Sequence, residues 1–263
     1  MMFSGIRPVL LSLLLALAPA SAMAQSAPAP VVAAASDLQF ALMEIAAGFK
    51  AETGQDVKLS MGSSGNFARQ ISQGAPFDLY LSADEDYVLA LARDGFLRGK
   101  GALYAIGRVV LMVPPRSPLT ADGMLDDLAA ALADGRLKRF AIANPEHAPY
   151  GKRAEESLRH KGLWEAIKPK LVFGENVSQA AQFATSGNTE GGIIAYSLAL
   201  APQVAARGNF ALIPQEWHAP LRQRMALTKK AGPAAERFYA YLQTPAARAI
   251  FRKYGFLLPG ESG

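Results

Sequence analysis

Apolar residues in this chain fall into two recurring rhythms. Short runs with little polar alternation, at 31–35, 108–113 and 140–143, read as strands buried on both faces of a largely parallel sheet. Between them the apolar positions move to helical spacing. Leu38, Leu42, Ile45 and Phe49 share one face, and Phe67 and Ile71 share another. The predicted order is strand 31–35, helix 38–50, strand 56–61, a helix carrying Phe67 and Ile71, strand 78–82 and helix 85–93. Thr53-Gly54 and Gly74-Ala75-Pro76 stop the first two helices. Downstream, strands at 108–113, 140–143, 171–173, 191–195 and 225–228 are interleaved with helices at 125–132, 152–160 and 178–185. Two further helices, 234–242 and 245–254, close the chain, and the polar, Pro-rich stretch 201–224 carries no predicted element. This alternation predicts an α/β fold of open sheets with helices on their faces. Two βα-rich halves of this length suit two lobes with a cleft between them.

The first 24 residues stand apart. Arg7 supplies a short positive start, Val9–Ala18 is an uncharged apolar run, and Ala22-Met23-Ala24 is a small-x-small cleavage pattern. These are the features of a secretory signal peptide, too short for a membrane span. Cleavage would leave 239 of the 263 residues and lower the formal charge from +5 to about +4, since only Arg7 is lost. With no cysteine in the chain, an exported protein is held by packing alone. The basic residues, Lys100, Arg108, Lys138 and Arg222 among them, are scattered. That excludes the clustered basic stripe of a nucleic-acid site and leaves only a weak attraction for small anions.

Catalytic patterns are lacking. Gly62-Ser63-Ser64-Gly65-Asn66 departs from a nucleophile elbow because Asn66 stands where the last glycine belongs. His147, His160 and His218 lie far apart without metal-ligand spacing. What recurs instead is a small or hydroxyl residue where a strand gives way to a helix: Ser36-Asp37, Ser63-Ser64, Tyr150-Gly151 and Val177-Ser178. The first N–H groups of a helix lack intrahelical partners and carry the positive end of the macrodipole. Gly65 lets the main chain approach a ligand, and no Lys or Arg precedes these helix starts. Such a neutral cage of donors suits a fully deprotonated tetrahedral oxyanion. A protonated one would need an acceptor for its own O–H.

Over essentially the whole mature chain the sequence resembles the periplasmic molybdate-binding proteins of bacterial ABC importers. The most specific segments are VAAASDL (32–38), GSSGNFARQISQGAPFDLYLSAD (62–84), AIANPEHAPYG (141–151), ENVSQAAQF (175–183) and AARAIFRKYGF (246–256). The resemblance implies a type II two-lobed fold, with 25–108 and 220–263 in one lobe and 109–219 in the other. It implies a periplasmic, non-enzymatic monomer that carries molybdate or tungstate as cargo to a membrane permease, with no resident cofactor. Molybdenum is held as its oxyanion through Ser36, Ser64, Tyr150 and Val177, with Ser63 beside them. Two departures from the family pattern matter. Ala195 stands where some members place a tyrosine ligand and Tyr196 follows one residue later, on the opposite face of a strand. The phenol donor is therefore open between Tyr150 and Tyr196, with Tyr150 preferred. Asp37 would repel a dianion, so it is expected to point outward or cap its helix and to offer only a backbone N–H. Receptors for sulfate or another oxyanion, a periplasmic sensor domain and a hydrolase using Ser63 or Ser64 are the competing readings.

Overall fold

The structure, a computed structural model, describes residues 1–2 and 28–261. The predicted signal peptide, apart from Met1 and Met2, lies outside the described residues. Among the described residues ten strands form two five-stranded sheets. They are β1 (Val31–Ala35), β2 (Lys58–Gly62), β3 (Leu79–Ser82), β4 (Ala102–Gly107), β5 (Val109–Val113), β6 (Phe140–Ala143), β7 (Leu171–Gly174), β8 (Gly192–Ala195), β9 (Asn209–Leu212) and β10 (Leu221–Leu227). The sheet orders are β2-β1-β3-β10-β4 and β7-β6-β8-β5-β9. Each sheet has three parallel strands, a fourth antiparallel to its neighbours, and an edge strand. The fourth strand is β10 in one sheet and β5 in the other, in each case the first strand after the chain crosses between sheets. The two-lobed α/β expectation is met.

Both faces of the first sheet are covered, as the pleat of β1 requires. Val32 and Ala34 enter one apolar cluster with Leu38, Leu42, Ile45 and Phe49, whereas Ala33 enters another with Phe67, Ile71 and Tyr80. Helices Gln39–Thr53, Pro233–Tyr241 and Pro245–Lys253 build the first layer, and Ser64–Ser72 and Glu85–Arg93 the second. Phe49 meets Phe238 edge-on at 5.1 Å. Burying each such ring is worth about 1.5–3 kcal/mol, which makes the C-terminal helices integral to the first lobe. The second sheet rests on one continuous cluster around Leu111, Phe140, Ile142, Leu158 and Ile194.

The chain crosses between lobes at Arg108 and again between Leu212 and Leu221. The continuous strand predicted at 108–113 is thus interrupted at its first residue. The Arg108 guanidinium donates to the Gly255 carbonyl at 3.0 Å and lies over the Tyr196 ring, 4.7 Å from its centre. The stretch 201–224 holds β9 and the first half of β10, contrary to the reading that it lacks elements. The alternation Leu221, Gln223, Met225 is apolar on one face except for Gln223, and that glutamine disguised the strand.

Candidate functional site

The carboxyl ends of β1 and β2 meet two helix starts of the second lobe around a small cavity of about 10 Å³. Its wall is formed by Ser36, Asp37, Ser63 and Ser64 from the first lobe and Ala148, Pro149, Tyr150 and Val177 from the second. Larger hollows lie on the surface, one of about 310 Å³ beside Phe40 and Gln203, but no set of buried donors converges on it. Pockets for drug-sized ligands run to roughly 300–1,000 Å³, so the small lobe-to-lobe cavity does not suit an organic solute of that size.

Two hydroxyls are set as donors by their own acceptor bonds. Ser64 Oγ accepts the Ala83 N–H at 3.0 Å, and Ser36 Oγ accepts the Ser178 N–H at 3.2 Å. Neither Oγ has an acceptor for its own proton among the described residues, so that proton is left for the cavity. The backbone of Ser64 is fixed by the Tyr80 hydroxyl, which donates to its carbonyl at 2.7 Å. Ser64, Tyr150 and Val177 stand in the first turns of their helices, where N–H groups lack intrahelical partners. No loop carbonyl takes these three N–H groups. Gly151 is required for the approach of its helix to β6, because a Cβ there would lie 2.1 Å from the Ala143 carbonyl oxygen.

Asp37 departs from expectation. Its side chain neither points outward nor caps the turn Ser36–Leu38; it is 1% exposed and lies in the cavity wall. Oδ2 accepts from Gln223 Nε2 at 2.6 Å and from the Tyr150 hydroxyl at 3.0 Å, while Oδ1 has no partner. These donors make the inward position tenable, which an outward-facing solvent shell would otherwise have provided. Tyr104 donates in turn to Gln223 Oε1 at 2.7 Å. Burial pushes the Asp37 carboxyl up to about 6, opposed by the bonds from Gln223 and Tyr150. Burial, followed by the Asp37 charge, also pushes the Tyr104 and Tyr150 phenols well above their ordinary range. The Tyr150 hydroxyl thus donates to Asp37 rather than into the open part of the cavity.

The remaining predicted residues separate clearly. Ser63 lines the cavity, but its Oγ is 2.9 Å from His147 Nδ1. Tyr196 is absent from the cavity wall: it begins the helix Tyr196–Ala199, its N–H donates to the Arg108 carbonyl, and its ring packs on Phe210. Sequence reasoning missed Gln223 and Tyr104, and the contact His147 makes across the lobes. Only Gln223 carried a usable signal, as a polar residue at a core-facing position of an alternating run.

Several bonds join the two lobes across the cavity. Gly65 N–H donates to the His147 carbonyl at 2.9 Å, Ser178 Oγ to the Ser36 carbonyl at 2.8 Å, and Ser197 Oγ to the Asp37 carbonyl at 2.8 Å. Arg153, almost fully buried, reaches Asp84 at 3.2 Å and Glu156 at 2.7 Å. Ser63, His147 and Glu175 superficially follow a nucleophile–base–acid order. Here, however, the serine faces Nδ1, and Glu175 is 3.4 Å from Nε2 with a side chain 69% exposed. A working triad has the ring the other way round and its acid buried. No group of three or more metal-ligating side chains occurs among the described residues.

A family model described as bacterial extracellular solute-binding protein matches residues 30–257. The chain belongs to this family. It is 35% identical to the molybdate-binding protein ModA of Rhodobacter capsulatus over 92% of this chain and 94% of that protein. It is 36% identical to ModA of Azotobacter vinelandii over 86% and 88% of the two chains. The solved structure of the Azotobacter vinelandii periplasmic molybdate-binding protein covers 88% of this chain and 99% of its own, with a TM-score of 0.78 and 30% identity. For a solute-binding protein, a cavity walled by both lobes couples solute capture to lobe closure. A donor supplied from the second lobe reaches the solute only when the lobes are together.

Proposed function

We propose that this protein captures molybdate in the periplasm and delivers it to the permease of an ABC importer, with tungstate as a second cargo of the same shape and charge. The observation that carries this reading is the pair of hydroxyls, Ser36 and Ser64, each already accepting a backbone N–H and so left to donate into the small cavity between the lobes. The N–H groups of Ser64, Tyr150 and Val177 add donors without adding charge. All of these groups would meet the oxygen atoms of the anion, and none would coordinate the metal. The ion is cargo rather than a resident cofactor, and the protein works as a binder and a monomer rather than as an enzyme. The names of the relatives support the choice of ion.

Titration calorimetry of the mature protein against molybdate, tungstate, sulfate and phosphate tests the proposal. Molybdate and tungstate are expected to bind and phosphate to bind far more weakly. Phosphate affinity within about tenfold of molybdate, roughly 1.4 kcal/mol, would refute it. Sulfate as the preferred ion would make this a sulfate receptor instead.

A further inference from the structure

Asp37 is the one carboxylate in a wall whose other polar side chains are hydroxyls. One carboxyl oxygen is saturated by Gln223 and Tyr150, and the other is buried with no partner. The groups facing it are the Tyr150 hydroxyl, the Gln223 amide and the nearby backbone N–H groups of Asp37 and Leu38, with the Tyr104 phenol behind Gln223. The helix Val177–Thr185 brings no ionisable residue, and no ion pair reaches Asp37 from any described residue. No cation therefore offsets its charge, and a dianion entering the same cavity would face an ionised carboxylate at short range. A proton on Oδ1 removes that repulsion. It also turns an orphaned acceptor into a further donor for an oxyanion that carries no proton of its own.

We propose that Asp37 is a specificity-determining residue that takes up one proton from solvent when the tetrahedral oxyanion binds and donates it as a hydrogen bond to the anion. The inference rests on the oxyanion reading above and deepens it. Burial already favours the protonated acid. An arriving dianion moves the balance further the same way.

The test is calorimetry with molybdate in buffers of different ionisation heat, at pH 5 and pH 8, which yields the number of protons taken up per ion bound. Uptake approaching one proton at pH 8 and near zero at pH 5 is expected. Affinity should then fall by about tenfold per pH unit between pH 7 and 8, as linkage requires. The variant Asp37→Asn should show no uptake and a flat affinity over this range. Binding by the wild-type protein without uptake at pH 8 overturns the proposal, as does an unchanged slope in Asp37→Asn. Tighter binding of phosphate than of molybdate, again without uptake, also overturns it, since Asp37 would then be an ionised acceptor for a protonated anion. If sulfate is preferred and binds with one proton, the molybdate reading fails and the proton coupling stands. If no oxyanion binds at any pH, both fail together.

Discussion

Replacing Ser64 by alanine separates two roles that one hydroxyl performs. Its oxygen accepts the Ala83 N–H at 3.0 Å at a position with no exposed surface. Its proton has no protein acceptor and is available to a bound anion. Removing the hydroxyl deprives a charged, desolvated ligand of a hydrogen bond worth about 1.5–3 kcal/mol, or roughly tenfold to more than a hundredfold in affinity. It also leaves the Ala83 N–H buried and unsatisfied, at a cost to the folded state of about 1–3 kcal/mol. Both losses are expected in Ser64→Ala, the first by calorimetry with molybdate and the second by urea unfolding without ligand. Ser63→Ala is the control, because the Ser63 oxygen is engaged by His147. That variant should lose less affinity than Ser64→Ala. Unchanged affinity in Ser64→Ala, or a larger loss in Ser63→Ala, would refute the assignment of the donor.

Tyr196→Phe is expected to change molybdate affinity by less than about threefold, since the phenol lies outside the cavity wall and has no bond to lose. A larger loss by calorimetry would return Tyr196 to the site. Gly65→Ala should weaken binding, because a Cβ there would lie 2.8 Å from the His147 carbonyl oxygen of the opposite lobe and 2.9 Å from the Tyr87 hydroxyl of its own. A crystal structure of that variant closed on the anion without displacement would contradict this. Stability should also depend on pH through Asp37. Its carboxyl is near 3.8 when unfolded and raised to about 6 when folded, so the native state holds the extra proton and this contribution is lost as pH rises from about 4 through 6. The difference is worth about 3 kcal/mol. Measured by urea at pH 4 and pH 7, Asp37→Asn should gain up to about that much relative to wild type at the higher pH, and a constant difference would show that the carboxyl is not shifted.

The fold was legible where a periodicity belonged to one element. The run of small apolar residues in β1 and the helical stripe Leu38, Leu42, Ile45 and Phe49 both mark faces that are buried. At the site, Ser36, Ser64, Tyr150 and Val177 were legible because each stands where a strand hands over to a helix, and helix starts leave N–H groups free. What was hidden depends on partners distant in sequence. Asp37 looked repulsive beside an anion because its inward position is made tenable by Gln223, 186 residues away, and by Tyr150, 113 residues away. The bond from the Tyr150 hydroxyl to Asp37 was hidden for the same reason. His147 and Ser178 act by joining the lobes, and no local pattern encodes which loops a closed cleft brings together.

The place of β10 bears on how the molecule is assembled during synthesis. It is hydrogen-bonded between β3 and β4, so the first sheet stays split until residues 221–227 have emerged. The second sheet, by contrast, uses only β5–β9, an uninterrupted stretch of chain. Domains generally acquire structure as units in the order their segments become available, and distant strand pairings form late. The lobe that begins second is therefore the first that can finish. Until then β3 and β4 present bare edges, and a chain halted before Leu221 would be left with two strands ready to pair with a neighbour.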